Sequence, residues 1–151
     1  MTMTTYYPDL TPYQYEDKIY PKILNIGWLD VNHQFEIGSV QNEIVEKILL
    51  LTCGVKNINL ISMKVRSFKH CPFDENVIEI NIPNTNRTRL LGISELCIPN
   101  KEKNILYCFP DMLYHYITHH QYLPPLEFLQ AIEDFNLKNS YDVHNHGEFW
   151  K

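Results

Sequence analysis

The chain has 151 residues, of which 44% are hydrophobic and 21% charged, and its formal net charge is −5. This composition is typical of folded proteins and excludes a disordered chain, a coiled coil and a collagen-like repeat. The acidic balance argues against a general nucleic-acid binder, since such proteins are usually basic.

The length predicts a single domain over residues 1–151. The N-terminal sequence MTMTTYYPDL has neither the basic region nor the apolar stretch of a secretory signal. The longest aliphatic run, Ile48–Leu51, is too short to cross a membrane. The cysteines form no C-x-x-C pair, which favours reduced thiols; they are Cys53, Cys71, Cys97 and Cys108. We therefore expect a cytoplasmic protein with no membrane segment.

Charge is distributed unevenly along the chain. The middle, from Lys56 to Lys103, carries a formal charge of +3, whereas the two flanks together carry −8. This division predicts either charges scattered over solvated surfaces or two faces of opposite sign.

The first elements in chain order are an arm, a strand and a helix. The N-terminal arm (residues 1–22) contains five tyrosines and three prolines, and we expect it to lie extended over the domain with its rings packed down. Residues 23–29 read as a short strand. A helix is predicted to begin at Ser39 and end at Gly54, because Val40, Ile44, Ile48 and Leu51 form an apolar stripe.

The second half of the chain alternates between strand and helix patterns. Strands are predicted at 60–68, 77–82, 89–98 and 104–109. Helices are predicted from Asp111 to about His119 and from Pro124-Pro125 onward, followed by a polar tail over 137–151. We expect an α+β fold in which three helices pack on an antiparallel β-meander sheet of about four to five strands.

The second helix contains the strongest candidates for metal binding. His115 and His119 are four residues apart and project from one helix face, while His120 falls in the middle of the apolar face if the helix continues. With Cys71 they offer ligand types that zinc prefers. The alternatives are histidines that only stabilise the helix end and a cysteine that is only a core residue.

Other patterns in the sequence are weaker evidence for a functional site. Cys97 and Cys108 share a sheet face if the loop between their strands has an even number of residues. The tail contains His144-Asn145-His146, a weak chelating pair, and Glu95 reads as an exposed strand residue. No phosphate-binding glycine loop and no G-x-S-x-G motif is present, so the sequence assigns no catalytic residue and favours a protein that is not an enzyme.

Three segments together resemble a family of small uncharacterised bacterial proteins. They are Tyr6–Tyr13, reading YYPDLTPY, Leu24–Leu29, and Tyr107–Ile132 with its Y-H-Y and Y-x-P-P-x-x-F patterns. The resemblance implies an R-G-x-H-x-C-x-x-C stretch similar to a metal-binding knuckle, aligned with Arg66–Asp74. Lys69 replaces the histidine and Asp74 replaces the second cysteine, which predicts that the knuckle is disrupted here.

Three functions compete on these grounds. The first is binding a protein partner, for example as an immunity protein that neutralises a toxin domain, without a cofactor. Its predicted binding residues are Tyr6, Tyr7, Asp9, Tyr13, Trp28 and Tyr116. The second is a zinc module or metal-dependent enzyme that uses Cys71, His115 and His119. The third is a nucleic-acid-binding sheet that uses Lys64, Arg66, Lys69, Arg87 and Arg89.

Overall fold

A computed structural model describes residues 6–64 and 70–150. Within these ranges the helices are α1 (Asn42–Cys53), α2 (Leu113–His120) and α3 (Leu126–Asp134). The strands are β1 (Pro12–Tyr15), β2 (Lys18–Asn25), β3 (Ile58–Asn59), β4 (Ile61–Lys64), β5 (Glu79–Asn81), β6 (Thr88–Leu90), β7 (Ser94–Pro99), β8 (Leu106–Pro110) and β9 (Tyr141–Asp142).

Across the described residues, three helices and a five-stranded sheet make the predicted α+β fold. The sheet order is β1-β2-β8-β7-β4. Strand β2 runs parallel to β8, whereas the other neighbouring pairs are antiparallel. The sheet is therefore mostly antiparallel, as predicted, but mixed rather than purely antiparallel. The long connection from β2 to β8 contains α1 and lets the chain return in the same direction.

The predicted strand 89–98 is divided into two strands that belong to different sheets. Strand β6 pairs with β5 in a separate two-stranded ribbon, and β7 lies in the central sheet. Gly92, with φ of 94°, turns the chain between them. A glycine tolerates this positive φ without the steric cost that other residues incur.

The N-terminal arm enters the sheet as a strand. Strand β1 pairs with β2, and Tyr13 is buried with 6% of its surface exposed. Tyr15, two residues on, is 46% exposed. The arm is thus partly extended and packed, as expected, but its tyrosines do not all face inward.

The predicted stripe of the first helix lies in the core. Ile44, Ile48 and Leu51 are buried against the main hydrophobic cluster. The helix begins at Asn42 rather than at Ser39. Gly54 follows it with φ of 106° and ψ of 134°, a positive-φ ending that differs from the expected left-handed cap.

The C-terminal segment (residues 137–150) covers the second face of the sheet. It contains β9, which pairs in parallel with β3, and two 3-10 turns, Val143–Asn145 and Gly147–Trp150. Val143 and Phe149 are almost fully buried in a second core cluster with Cys97 and Cys108. The segment predicted as a polar tail thus contributes buried side chains to the core. The sequence did not indicate this, because isolated apolar residues in a short segment give no periodic signal.

In the part of the chain that the structure describes, we find no helix whose length and apolar character would allow it to cross a bilayer.

Gly27 occupies a position that excludes a side chain. Its φ is +74°, and a Cβ atom there would lie 2.7 Å from Leu113 Cδ1. We expect Gly27→Ala to lower the free energy of unfolding by about 1–3 kcal/mol through steric overlap and backbone strain. Urea denaturation measures this loss. Gly147→Ala is the control: it meets no atom within 4 Å and is expected to change stability by less than about 0.5 kcal/mol.

Candidate functional site

Helix α2 is anchored to the central sheet by Asp111, two residues before the helix begins. The Asp111 carboxylate accepts hydrogen bonds from the backbone N–H groups of Gly92, Ile93 and Ser94 at 2.7, 3.1 and 3.1 Å. Asp111 is 1% exposed. Burial raises the pKa of Asp111, and the three N–H groups oppose that rise. This anchor fixes where the histidines of α2 lie.

The second part of the site is a tight turn from Cys71 to Asp74. The Glu75 N–H donates to the Cys71 carbonyl at 2.8 Å. Burial raises the pKa of the Cys71 thiol, and the nearby backbone N–H groups of Asp74 and Phe73 oppose that rise. Backbone donors stabilise negative charge on sulfur, which is the state in which cysteine binds a metal. The turn therefore has the local geometry of a ligand-bearing loop.

The turn and the helix bring four potential metal ligands together. Their ligand atoms all lie within 4.8 Å of one another, and the residues are Cys71, Asp74, His115 and His120. Asp74 Oδ2 lies 2.6 Å from His115 Nε2 and 3.1 Å from His120 Nε2. The Cys71 sulfur lies 3.5 Å from His120 Nε2. We call this group the Cys/Asp/His cluster.

Three of the six separations between ligand atoms lie within about 1 Å of those around a tetrahedral ion, and the other three are at most 4.8 Å. Zinc bound to sulfur at about 2.3 Å and to nitrogen or oxygen at about 2.0–2.1 Å places neighbouring ligand atoms about 3.3–3.6 Å apart. The sulfur–nitrogen distance of 3.5 Å already matches. The two Asp74–histidine distances are shorter because hydrogen bonds draw these atoms together, and they would open by less than about 1 Å around an ion.

The electrostatics of the cluster favour the metal-binding protonation states of Asp74 and His115, but not that of Cys71. The hydrogen bond with His115, supported by one from His120, lowers the pKa of Asp74. Burial lowers the pKa of His115, against the opposing effect of Asp74. Burial raises the pKa of the Cys71 thiol. At neutral pH the site therefore offers a carboxylate and a neutral imidazole, while the thiol must release its proton on metal binding.

The same atoms do not form a cysteine-protease triad. In such a triad the thiol and the carboxylate bind opposite nitrogens of the imidazole ring. Here the Cys71 sulfur and Asp74 Oδ2 both face the Nε2 atom of His120. The approach of four ligand atoms to within 4.8 Å of one another is compatible with a coordination site instead.

The cluster is enclosed on one side and open on the other. Cys71 is fully buried and His115 is 4% exposed. The Phe73 ring packs against His120 with centroids 4.9 Å apart. By contrast, 33% of the Asp74 side chain is exposed. An ion would therefore enter from the Asp74 side.

Two of the three predicted metal ligands lie in this cluster. Cys71 and His115 are in it, while His119 is not in the group found among the described residues. The His119 ring stacks on that of His115 with centroids 4.6 Å apart, and its Nδ1 atom lies 3.0 Å from Thr118 Oγ1. His120, at the end of α2, takes the position instead. The sequence feature that favours His120 is its location in the middle of the apolar face of the helix.

Asp74 is the member of the cluster that the sequence did not indicate. The resemblance described above aligns it with the second cysteine of a metal-binding knuckle and predicted a disrupted site. A carboxylate oxygen is itself a zinc ligand. Asp74 therefore still offers a group that is able to coordinate an ion.

The residues predicted to bind a partner make contacts within the molecule. Tyr13 donates to Glu95 Oε2 at 3.1 Å, and Trp28 Nε1 donates to the Cys108 carbonyl at 3.0 Å. Asp9 accepts from the Gly27 N–H and the Tyr122 hydroxyl. The remaining three are Tyr6, stacked on His33, Tyr7, edge-on to Trp28, and Tyr116, which is 5% exposed.

The other candidate groups are dispersed. Arg66 and Lys69 lie outside the described residues, and the structure gives no side-chain position for Lys64. Arg87 is exposed, whereas Arg89 is half-buried and donates to Ser94 Oγ at 3.5 Å. In the C-terminal segment, His144 Nε2 lies 3.0 Å from the Ile61 carbonyl, and His146 stacks on Tyr141.

Comparison with known proteins identifies a family for this chain. A family model described as a domain of unknown function (DUF7919) matches residues 5–133. That range contains all four residues of the cluster and ends before the C-terminal segment. No curated protein and no solved structure shows a significant match.

Proposed function

The chain belongs to the family described as a domain of unknown function (DUF7919), and we propose from the Cys/Asp/His cluster that it is a zinc-binding protein. Membership confirms the resemblance to uncharacterised proteins but brings no activity with it. The observation that carries the proposal is the approach of four ligand atoms within 4.8 Å of one another.

The ligand set favours zinc over other abundant ions. Two imidazoles and a thiolate are soft or borderline ligands, which disfavour Mg²⁺ and Ca²⁺, since those ions prefer oxygen. One thiolate, two imidazoles and one carboxylate match the range of side chains that zinc accepts in four-coordinate sites.

The proposed role of the ion is structural. Four protein ligands fill a tetrahedral shell, whereas a catalytic zinc keeps one position for water or substrate. The ligands come from a turn and a helix that are about 40 residues apart in sequence. An ion bound between them stabilises the folded state, because the unfolded chain offers no preformed site.

Elemental analysis of untagged protein tests the proposal. We expect about one equivalent of zinc in the unmodified chain, and less than about a tenth of an equivalent in Cys71→Ser, which lacks the thiolate. Cys53→Ser is the matched control: Cys53 is also a free, partly buried cysteine, but it lies outside the cluster and its loss should leave the zinc content unchanged.

Two results would contradict zinc binding. One is an unmodified chain that contains less than about a tenth of an equivalent of any transition metal after incubation with zinc and desalting. The other is a Cys71→Ser chain that retains a full equivalent. Circular dichroism spectra of all three proteins establish that folding is equal in the comparison.

Binding to a protein partner, including the version in which the partner is a toxin domain, stays a separate prediction. Large apolar side chains that a partner surface could cover are exposed elsewhere, at Val31 (62%), Ile37 (67%) and Leu126 (81%). Pull-down with the product of a neighbouring gene tests it, and no binding at micromolar concentration would remove it.

A further inference from the structure

We propose that Cys97 and Cys108 form an oxidation site, in which peroxide converts the two thiols into a disulfide across strands β7 and β8. This site is separate from the Cys/Asp/His cluster, since both cysteines belong to the core cluster under the C-terminal segment. The inference is therefore independent of zinc binding.

The register of the central sheet places the two cysteines directly opposite each other. Cys97 pairs with Cys108 in the antiparallel ladder, and both side chains consequently lie on the same face. Six residues separate the two strands, so the even-loop condition stated for the sequence is met.

The hydrogen-bond pattern shows that Cys97 and Cys108 form a non-hydrogen-bonded pair of the antiparallel ladder. The Asp111 N–H donates to the Ser94 carbonyl, so Ser94 and Asp111 are a hydrogen-bonded pair. In an antiparallel ladder the two pair types alternate, so every second residue of β7 after Ser94 is hydrogen-bonded to β8. Cys97 falls between these positions, and its N–H donates to Leu60 on the other side. Cα atoms of such a non-hydrogen-bonded pair are about 4.5 Å apart. That separation is at the short end of the range of about 4.4–6.8 Å found in disulfides.

A carboxylate lies beside the pair as a proton acceptor. The Cys108 thiol donates to Glu95 Oε1 at 2.9 Å. The other carboxylate oxygen accepts from the hydroxyl groups of Tyr13 and Ser62 at 3.1 and 3.2 Å. Glu95 is 8% exposed, contrary to its prediction as an exposed strand residue. Its orientation toward Cys108 gives the thiol proton a place to go.

The oxidation balances with one hydrogen peroxide molecule. Glu95 takes the Cys108 proton, and the thiolate attacks one peroxide oxygen; the O–O bond breaks, and a sulfenic acid and hydroxide form. The hydroxide takes the proton from Glu95 and leaves as water. The Cys97 sulfur then attacks the Cys108 sulfur, the S–S bond forms, the S–O bond breaks, and the Cys97 proton leaves with the hydroxyl group as a second water.

Access to the thiols and loss of the Cys108 proton both limit the rate, since burial, with Cys97 and Glu95 nearby, raises the pKa of the Cys108 thiol well above its ordinary value. Both cysteines are 0% exposed, and Phe149 and Val143 of the C-terminal segment pack in the same cluster. Peroxide therefore reaches the pair only when this segment opens. We expect oxidation to be slow relative to that of an accessible thiol and complete on prolonged exposure.

Peptide mapping of the unmodified chain tests the site. The folded protein is incubated with millimolar hydrogen peroxide, unfolded in an alkylating agent and digested with trypsin. Cleavage at Lys101 and Lys103 separates the two cysteines, so a disulfide joins two peptides. We expect the Cys97 and Cys108 peptides to be recovered linked, with the alkylated forms of both lost together.

The variant Cys97→Ser isolates the second step. Cys108 then has no partner, and we expect it to stop at the sulfenic acid, which dimedone traps as an adduct. Recovery of both cysteines of the unmodified chain in alkylated form, under conditions that oxidise Cys53, would overturn the proposal. A disulfide joining Cys108 to Cys53 or Cys71 in place of Cys97 would also overturn it. These readouts come from the unmodified chain and do not depend on the variant folding.

Discussion

His120→Ala is expected to weaken zinc binding by about 100-fold or more, whereas His119→Ala is expected to leave it unchanged. Loss of a group that only supports a ligand already costs about 10- to 100-fold in metal affinity, and His120 is proposed to supply a ligand atom itself. His120 Nε2 lies 3.1 Å from Asp74 Oδ2 and 3.5 Å from the Cys71 sulfur. His119 contacts His115 by stacking.

The two variants form a matched pair, because both remove an imidazole from the last turn of α2. Competition with a chromophoric zinc chelator measures the dissociation constants. Cobalt substitution adds a second readout, since the sulfur-to-cobalt absorption band should be lost or shifted in His120→Ala only. Equal affinities in the two variants, or greater loss in His119→Ala, would assign the wrong histidine to the site.

Asp111→Ala is expected to lower the free energy of unfolding by about 3–5 kcal/mol, the largest stability change we predict for a single side chain. The substitution removes the acceptor for three backbone N–H groups and leaves these donors without a partner in the protein. Asp111→Asn retains one acceptor oxygen but points an NH₂ group at a backbone donor, and we expect a loss of about 2–3 kcal/mol.

Urea denaturation in the presence of a metal chelator measures these losses, because a bound ion would add its own stabilisation. Asp134→Ala is the control, since Asp134 is exposed and accepts one hydrogen bond, from Gln130. It is expected to change stability by less than about 0.5 kcal/mol. An Asp111→Ala loss as small as that of the control would show that water satisfies the three N–H groups.

Local patterns predicted the helices well and the sheet less well. The stripe of Ile44, Ile48 and Leu51 identified α1, because residues that share a helix face are close in sequence. The direction of β2 relative to β8 depends on strands more than 80 residues apart. The pattern of apolar residues within a strand does not indicate which distant strand it pairs with. The mixed sheet was therefore not predictable from local patterns.

The residues of the candidate site divide in the same way, into those that the local sequence indicates and those that only the fold brings together. Cys71 and His115 were identified from ligand chemistry and the predicted helix. The cluster contains His120 and not the predicted His119. The i, i+4 rule describes neighbours on one helix, whereas the cluster is completed by a turn from elsewhere. The local pattern predicts that Asp74 disrupts a knuckle. In the fold, Asp74 lies beside the histidines of α2, and no local pattern indicates that approach.

The sequence alone determined the α+β class, the helix that carries the histidines and the ligand chemistry of Cys71 and His115, because side-chain type and short-range periodicity are properties of neighbouring residues. Only the tertiary structure decided that Asp74 and His120 complete the cluster and that Cys97 faces Cys108. Those arrangements depend on where distant segments pack, which is set by burial and by anchors such as Asp111 and not by spacing along the chain.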